Sequence, residues 1–586
     1  EIVDMLNSNG AVNAQGGAYE GLDRFEARKR IAKDLDAAGH LVKVEDYPHK
    51  VGRSERTKAV IEPKLSVQWF CDMKKMARTA LDAVMNDHVQ FHPAKFKNVY
   101  RHWMENVTDW CISRQLWWGQ QIPAWHYGQG LKDYVVARTL EEALALAREK
   151  TGNATLQADG LRQDDDVVDT WFSSWLWPIS VFDGFKNPGN PEIDYYYPTN
   201  TLVTGHDIIF FWVARMIMAG YEYKDEKPFS DVYFTGMVRD KERRKMSKQL
   251  GNSPDPLELI QQFGADGVRA GMLFSSPAGN DLLFDEQLCL QGRNFTNKIW
   301  NSFRLLQSWT IDESATPSDV STISGQWLEA RFQEVLEQLE DHYEKFRISD
   351  ALMLTYKFIW DDYCSWYLEL IKPDYQQPID RTTYDQAIGF MEKMLQVLHP
   401  LMPFITEEIW QLIRDRKPEE ALIVTPWPTK HSFDGQLLAD FERSRSVIGK
   451  VRAIRRKRKI APKDPIKLFV RVPRPIPMLE SVIIKLGNLA SIEWQEDKPR
   501  GVECFVVNAT EYFISLEGKV DLEAEVAQLK EQLDYQRGFL EKVRQKLANE
   551  RFVNNAPEQV VANERKKEAD ATAKIEVLES QLADLG

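Results

Sequence analysis

The end of the chain is the strongest constraint on what it folds into. Leu522, Val526, Leu529, Leu533, Gln536, Leu540, Val543 and Leu547 step by four and three, apolar at seven of eight positions. That spacing draws one apolar seam along a helix, the pattern of a coiled coil. Asn554-Asn555-Ala556-Pro557 interrupts it with residues that favour a turn. A second stripe follows at Ala571, Ile575, Leu578, Leu582 and Leu585. Two long helices joined by a short turn predict an antiparallel coiled-coil hairpin over 519–586. Such a hairpin satisfies its own seam; dimerisation through the same seam is the alternative.

Upstream the periodicity is also helical. Leu328, Phe332, Val335, Leu339, Tyr343 and Phe346 step by three or four, as do Leu395, Leu398, Met402, Ile405, Ile409 and Ile413. One-sided stripes of this kind pack as a bundle, which is placed at 287–430. Between 431 and 518 a charged helix precedes strand-like Lys467 to Val472 and Val502 to Val507. These flank a helix near Leu479 to Leu486, giving a small α+β module. From Asp166 to Leu283 apolar runs alternate with Gly, Pro and Asn, the rhythm of an α/β domain. An apolar strand is expected from Tyr196 to Val203. Residues 129–165 are polar and are expected to be an inserted loop with a short helix. The fold class is therefore multidomain α/β plus all-α, divided at 1–65, 66–286, 287–430, 431–518 and 519–586.

Composition narrows the function classes. Of 586 residues 43% are hydrophobic, so a disordered chain is excluded. The net charge of −13 excludes a uniformly basic nucleic-acid coat but not a local patch. Cys71, Cys111, Cys289, Cys364 and Cys504 are far apart with no CxxC pair, against a zinc ribbon or disulfide framework. A reducing, cytoplasmic setting is expected. The longest apolar run, Ile208 to Tyr221, contains Arg215 and is shorter than the about 20 residues a bilayer needs.

The sharpest local signal is Lys245-Met246-Ser247-Lys248-Gln249-Leu250-Gly251-Asn252. Two lysines three apart, a hydroxyl between them and a glycine after suit a loop that grips polyphosphate. An ordinary basic surface loop is the plain alternative. The upstream Asp240-Lys241-Glu242-Arg243-Arg244 is read as keeping that loop solvated. A second group is Thr204-Gly205-His206-Asp207-Ile208, continuing to Phe211 and Trp212. Gly205 ends a strand, and Asp207 opens a helix, where a carboxylate at a strand's carboxyl end can accept from ribose hydroxyls. On that helix Ile208, Phe211, Trp212 and Arg215 are expected to share one face. They are either a core stripe or the wall of a dry pocket for a small side chain. Trp171, in Asp169-Thr170-Trp171-Phe172-Ser173-Ser174, is read as core or ligand wall. Arg114 can pair with a carboxylate or phosphate, or be structural.

Cys111-Ile112-Ser113-Arg114-Gln115, Thr170 to Ser174, Gly205 to Met216, Lys245 to Lys248 and Val553 to Pro557 together resemble the class I aminoacyl-tRNA synthetases of the valyl type. The resemblance spans about residues 60–560. It implies ATP-dependent attachment of valine to tRNA(Val) through valyl-adenylate, run by positioning and charge stabilisation without a protein nucleophile. Lys245, Ser247 and Lys248 would be catalytic. Gly205, Asp207, Met246 and Lys248 would bind ATP, and Trp171, Ile208 and Trp212 would frame valine. Mg2+ is expected on the phosphates, with no dedicated metal site and no zinc. Domain by domain, 66–286 would be the second half of a Rossmann-type catalytic domain and 287–430 the anticodon-binding bundle. The arm 519–586 would brace the tRNA. Residues 1–65 resemble the end of an editing insertion.

The resemblance has departures. Gln249 stands where the family signature usually has Ser, and neither a His-containing phosphate signature nor an acidic editing motif is present. The chain begins at Glu1 and is expected to be a C-terminal part of a longer enzyme, inactive alone. A non-catalytic tRNA-binding fragment and an isoleucyl-type synthetase are the alternatives. Lys450 to Lys463 holds eight basic residues in fourteen and no acid, a run expected to meet RNA phosphates. Its members include Lys450, Arg452, Arg455, Arg456, Lys457, Arg458 and Lys459. A monomer without membrane contact is expected.

Overall fold

The computed structural model describes residues 3–54, 57–247, 250–276, 278–471, 479–499, 501–516, 522–549, 553 and 557–585. Lys248 and the expected turn residues Asn554, Asn555 and Ala556 lie outside the described residues. The backbone forms two compact units. One comprises 1–89, 97–200 and 208–230; the other comprises 90–96, 201–207 and 231–586. No described helix is long and apolar enough to cross a membrane.

In the first unit, helix α1 (Lys74–Met85) packs against helix α2 (Ala214–Lys224). Ala77, Ala80, Ala83 and Val84 form the buried stripe of α1, and small side chains let the backbones approach closely. Every residue of α2 from Ala214 to Gly220 is buried, Arg215 included. A π-helical turn, Ile209–Val213, leads into it. Short antiparallel pairs join Phe70–Cys71 to Trp110–Cys111 and Ser113–Arg114 to Val167–Val168. The region expected as a loop is more ordered than its polarity suggests. Ala124–His126 pairs antiparallel with both Tyr134–Val136 and Arg162–Gln163. With helix Leu140–Thr151 this patch encloses Val135, Ala137, Ala143, Ala147 and Leu161. The run before the expected strand also differs. Asn190 caps a helix over Pro191–Tyr196, a proline being well suited to the first helical turn, so the strand starts at Thr199.

In the second unit a three-stranded sheet has the order β1 (Gln90–His92), β3 (Phe229–Thr235), β2 (Thr199–Gly205), with β3 parallel to β1. β4 (Val238–Arg239) then pairs in parallel with β5 (Leu282–Leu283). Helices α3 (Glu286–Gln307) and α4 (Asp319–Glu344) open the bundle. Its core holds Phe295, Phe303, Leu328, Val335 and Leu339. Helix α5 (Gly435–Lys457), capped by Asp434, joins the same core, where Phe441 stacks on Trp327 with 3.6 Å between centroids. Asp362, only 4% exposed, accepts from Arg331 at 2.9 Å and Arg445 at 3.1 Å, so one buried carboxylate ties α4, α5 and its own helix together.

The small module is a mixed sheet. β6 (Ile466–Arg471) runs parallel to β7 (Leu489–Gln495) and antiparallel to β9 (Thr510–Ser515), which pairs antiparallel with β8 (Val502–Val507). Helix α6 (Glu480–Gly487) lies between β6 and β7 in sequence. The last two helices, α7 (Leu522–Ala548) and α8 (Glu558–Leu585), pack side by side. Arg537 meets Glu579, Arg544 meets Glu568 and Lys546 meets Glu564; these descending partners mark an antiparallel pair.

Candidate active site

The loop from Lys245 to Asn252 is built around one amide. Asn252 Oδ1 accepts from the Ser247 N–H at 2.9 Å, and Asn252 Nδ2 donates to Asp240 at 2.9 Å. Asp240 also accepts from the Arg244 N–H at 2.9 Å and Arg244 Nε at 2.8 Å. The Asn252 amide first, and Arg244 after it, hold the Asp240 carboxyl down to about 2. Asp240 is therefore a buried anchor, not part of a solvating run. Gly251 takes φ +61°, a left-handed turn that favours glycine. The Met246 N–H reaches Val238 O at 3.3 Å. Met246 and Ser247 are half-buried and Lys245 is exposed. A cleft of about 300 Å³ opens beside the loop, lined by Asp240, Met246, Gly251, Asn252 and Phe284 among others.

This loop is tied to the end of β2 by Asp281, a residue that no motif or spacing singles out. Its carboxylate takes the Met237 N–H at 3.2 Å, pairs with Arg239, and lies 3.6 Å from His206 Nε2. Arg239 is bridged to Lys245, so Asp281 links His206 to the strand that carries the loop. The His206 ring stacks on Phe96 at 5.3 Å. Beside His206, Asp207 is exposed and Gly205 is half-buried. A Cβ on Gly205 would come within 2.7 Å of Asp207 Oδ1, so the glycine makes room for that carboxylate. At Gly236 a Cβ would lie 1.6 Å from Asn280 O, which only glycine allows.

In the first unit, Trp171 and Trp212 are fastened to neighbouring elements. Trp171 stands on the short helix Thr170–Ser174, capped by Asp169, which accepts the Trp171 N–H at 2.9 Å. Trp212 Nε1 donates to Ser174 O at 3.2 Å, and the ring of Phe211 stacks on Trp171 at 6.2 Å. Ile208 is half-buried at the end of the preceding 3-10 turn. The face expected from a regular helix is altered by the wider π turn, which shifts positions after it. Phe211 is 46% exposed whereas Arg215 is 5% exposed. Arg114 pairs with Asp169, and its Nη1 donates to Cys111 O at 3.0 Å; its role in the fold is structural.

The basic run divides. Arg455 lies inside, against expectation, with its guanidinium donating to Gly487 O, Ala461 O, Asp464 O and Asn488 O. Arg455 thus ties α5 to the small module and offers nothing to RNA. Arg458 and Lys457 both pair with Glu503. Arg452 donates to Leu486 O and lies over the Trp366 ring. Lys450, Arg456, Lys459 and Lys463 are exposed.

Residues 22–285 match the class I tRNA synthetases (I, L, M and V). Residues 325–470 match the anticodon-binding domain of tRNA ligase, and 521–586 the valyl tRNA synthetase tRNA binding arm. The valine–tRNA ligase of Christiangramia forsetii is 56% identical over the whole of this chain and 67% of that protein. The chain belongs to the valine–tRNA ligase family. The family's member in Bacteroides thetaiotaomicron is 55% identical over 100% of this chain and 66% of its own length. That of Chlorobaculum tepidum is 40% identical over 96% and 64%. The chain spans about two thirds of the length of the curated relatives it matches.

Proposed function

We propose that the protein joins valine to tRNA(Val) with ATP, through valyl-adenylate, and that this chain carries the loop and pocket walls of that reaction. The observation that carries the reading is the Asn252–Asp240 clamp, which holds Ser247, leaves Lys245 exposed and sets Met246 in the wall of a cleft. A loop pinned at its base presents cations to pyrophosphate without first having to order itself. Lys245 and Lys248 neutralise charge on the departing pyrophosphate, and Ser247 orients the loop. Gly205 and Asp207 receive the ribose, Met246 lies along the nucleotide, and Trp171, Ile208 and Trp212 frame the isopropyl group. Mg2+ supplies charge on the ATP phosphates.

The domain roles belong to the same proposal. Residues 66–286 serve the chemistry, 287–430 the anticodon, and 431–518 the approach of RNA phosphates. Residues 519–586 form a coiled-coil arm along the tRNA, and 1–65 belong to an editing region. The protein acts as a cytoplasmic monomer. Valine-dependent exchange of pyrophosphate into ATP by the full-length protein, followed by charging of tRNA(Val), tests the reading. Exchange that answers to isoleucine and not valine overturns it in favour of an isoleucyl enzyme.

A further inference from the structure

We infer that Arg215 is a positioning residue of the amino-acid pocket, holding Trp171 and Trp212 at a fixed spacing. The inference rests on the reading that these two tryptophans frame valine. Arg215 is 5% exposed. Its guanidinium carbon lies 3.4 Å from the centroid of the Trp110 ring, with Phe210 at 5.7 Å and Phe211 at 5.8 Å. Among the described residues its Nε has no hydrogen-bond partner, and its Nη1 makes only a long bond of 3.4 Å to Phe211 O. A guanidinium stripped of water and given rings in place of a carboxylate is held mainly by the negative faces of those rings. Burial pushes its pKa down to about 10, so the cation persists at neutral pH.

The bonds around Trp110 say what the cation holds. Trp110 Nε1 donates to Asp169 Oδ2 at 3.2 Å. The other Asp169 oxygen caps the helix of Trp171 at 2.9 Å. Phe211 stacks on Trp171, while Trp212 fastens to Ser174 at the far end of the same short helix. Arg215 follows these two aromatics on their own helical run and clasps Trp110. The contacts therefore close a ring: Arg215, Trp110, Asp169, Trp171, Phe211 and back along the backbone. A methionine at 215 fills much of the volume but releases the indole, and the ring opens.

The test is valine-dependent pyrophosphate exchange by the full-length protein carrying Arg215→Met, Arg215→Lys or Trp110→Phe. Arg215→Met raises the KM for valine about tenfold, with kcat and the KM for ATP within about twofold of the parent. Arg215→Lys restores part of the loss because it keeps a cation over the ring. Trp110→Phe, which loses the bond to Asp169, moves the valine KM the same way and adds little to Arg215→Met. If Arg215→Met lowers only the amount of active enzyme and leaves the valine KM at the parent value, the arginine merely fills the core and the inference falls. Should that variant not fold, a parental valine KM in both Arg215→Lys and Trp110→Phe overturns it equally. A parent without valine-dependent exchange overturns the functional reading itself, before any variant is compared.

Discussion

Asn252 holds the base of the Lys245 loop through two bonds, one to the Ser247 N–H and one to Asp240. Asn252→Ala should slow pyrophosphate exchange about tenfold to a hundredfold, the range expected when a catalytic group is displaced by about an ångström. The KM for valine should stay at the parent value. The same bond has a titration signature. The Asp240 carboxyl sits at about 2 against an ordinary 3.8. A depressed carboxyl stabilises the folded loop above the ordinary value, and that contribution is lost as pH falls towards 2. A carbon-13 titration of Asp240 should therefore show its midpoint rise towards 3.8 in Asn252→Ala; an unmoved midpoint contradicts the clamp. On the pocket side, Trp212→Ala should admit isoleucine, since room for one methylene is worth about 1–3 kcal/mol. An unchanged valine-to-isoleucine ratio would mark Trp212 as core. The lysines, glycine and tryptophans were legible because side-chain chemistry and spacing advertise them. Asp281 and the capping role of Asp169 were not, because what each carboxylate does is set by partners brought in from distant sequence.

At the scale of elements, helices of the bundle were legible from their stripes, since burial on one face leaves a three-to-four period. Strand β7 was not, because a half-buried strand in a mixed sheet alternates too weakly to stand out; β9 was not, because Tyr512, Phe513 and Ile514 are buried in a row and leave no alternation to read. The π turn at Ile209–Val213 was equally hidden: its extra residue per turn is imposed by packing and leaves no mark on composition. The basic run shows the limit of charge reading. Sequence counts eight cations, but Arg455 is spent on four backbone carbonyls. Arg455→Gln should lower the melting temperature while leaving the salt dependence of tRNA binding unchanged. Converting Lys450, Arg456, Lys459 and Lys463 to Gln should flatten the slope of log K against log salt by about 3 with little thermal cost. Equal slopes in a titration across salt would reduce the run to a solvated face. Within the bundle, Asp362→Ala leaves Arg331 and Arg445 without their shared carboxylate. Thermal unfolding should report a loss of about 3–5 kcal/mol, the usual result of breaking a buried ion pair.

At the scale of the whole molecule, helices α7 and α8 close an apolar seam against each other. Leu533, Leu540 and Val543 of α7 are buried, as are Val561 and Ala571 of α8, and Val526 and Leu529 pack against the main core of the second unit. The ion pairs that flank the seam are exposed and add little each; apolar burial sets the stability of the arm. An apolar seam closed within one chain predicts a sedimentation coefficient that does not change with concentration. Leu540→Asp puts a charge into that seam and should melt the arm as a separate, earlier transition, because Leu540 is not among the arm residues that pack against the main core. The monomer mass should persist, valine-dependent exchange should stay at the parent level, and tRNA affinity should fall. Were the seam instead shared between two chains, the parent would sediment as a dimer at micromolar concentration and Leu540→Asp would halve its mass.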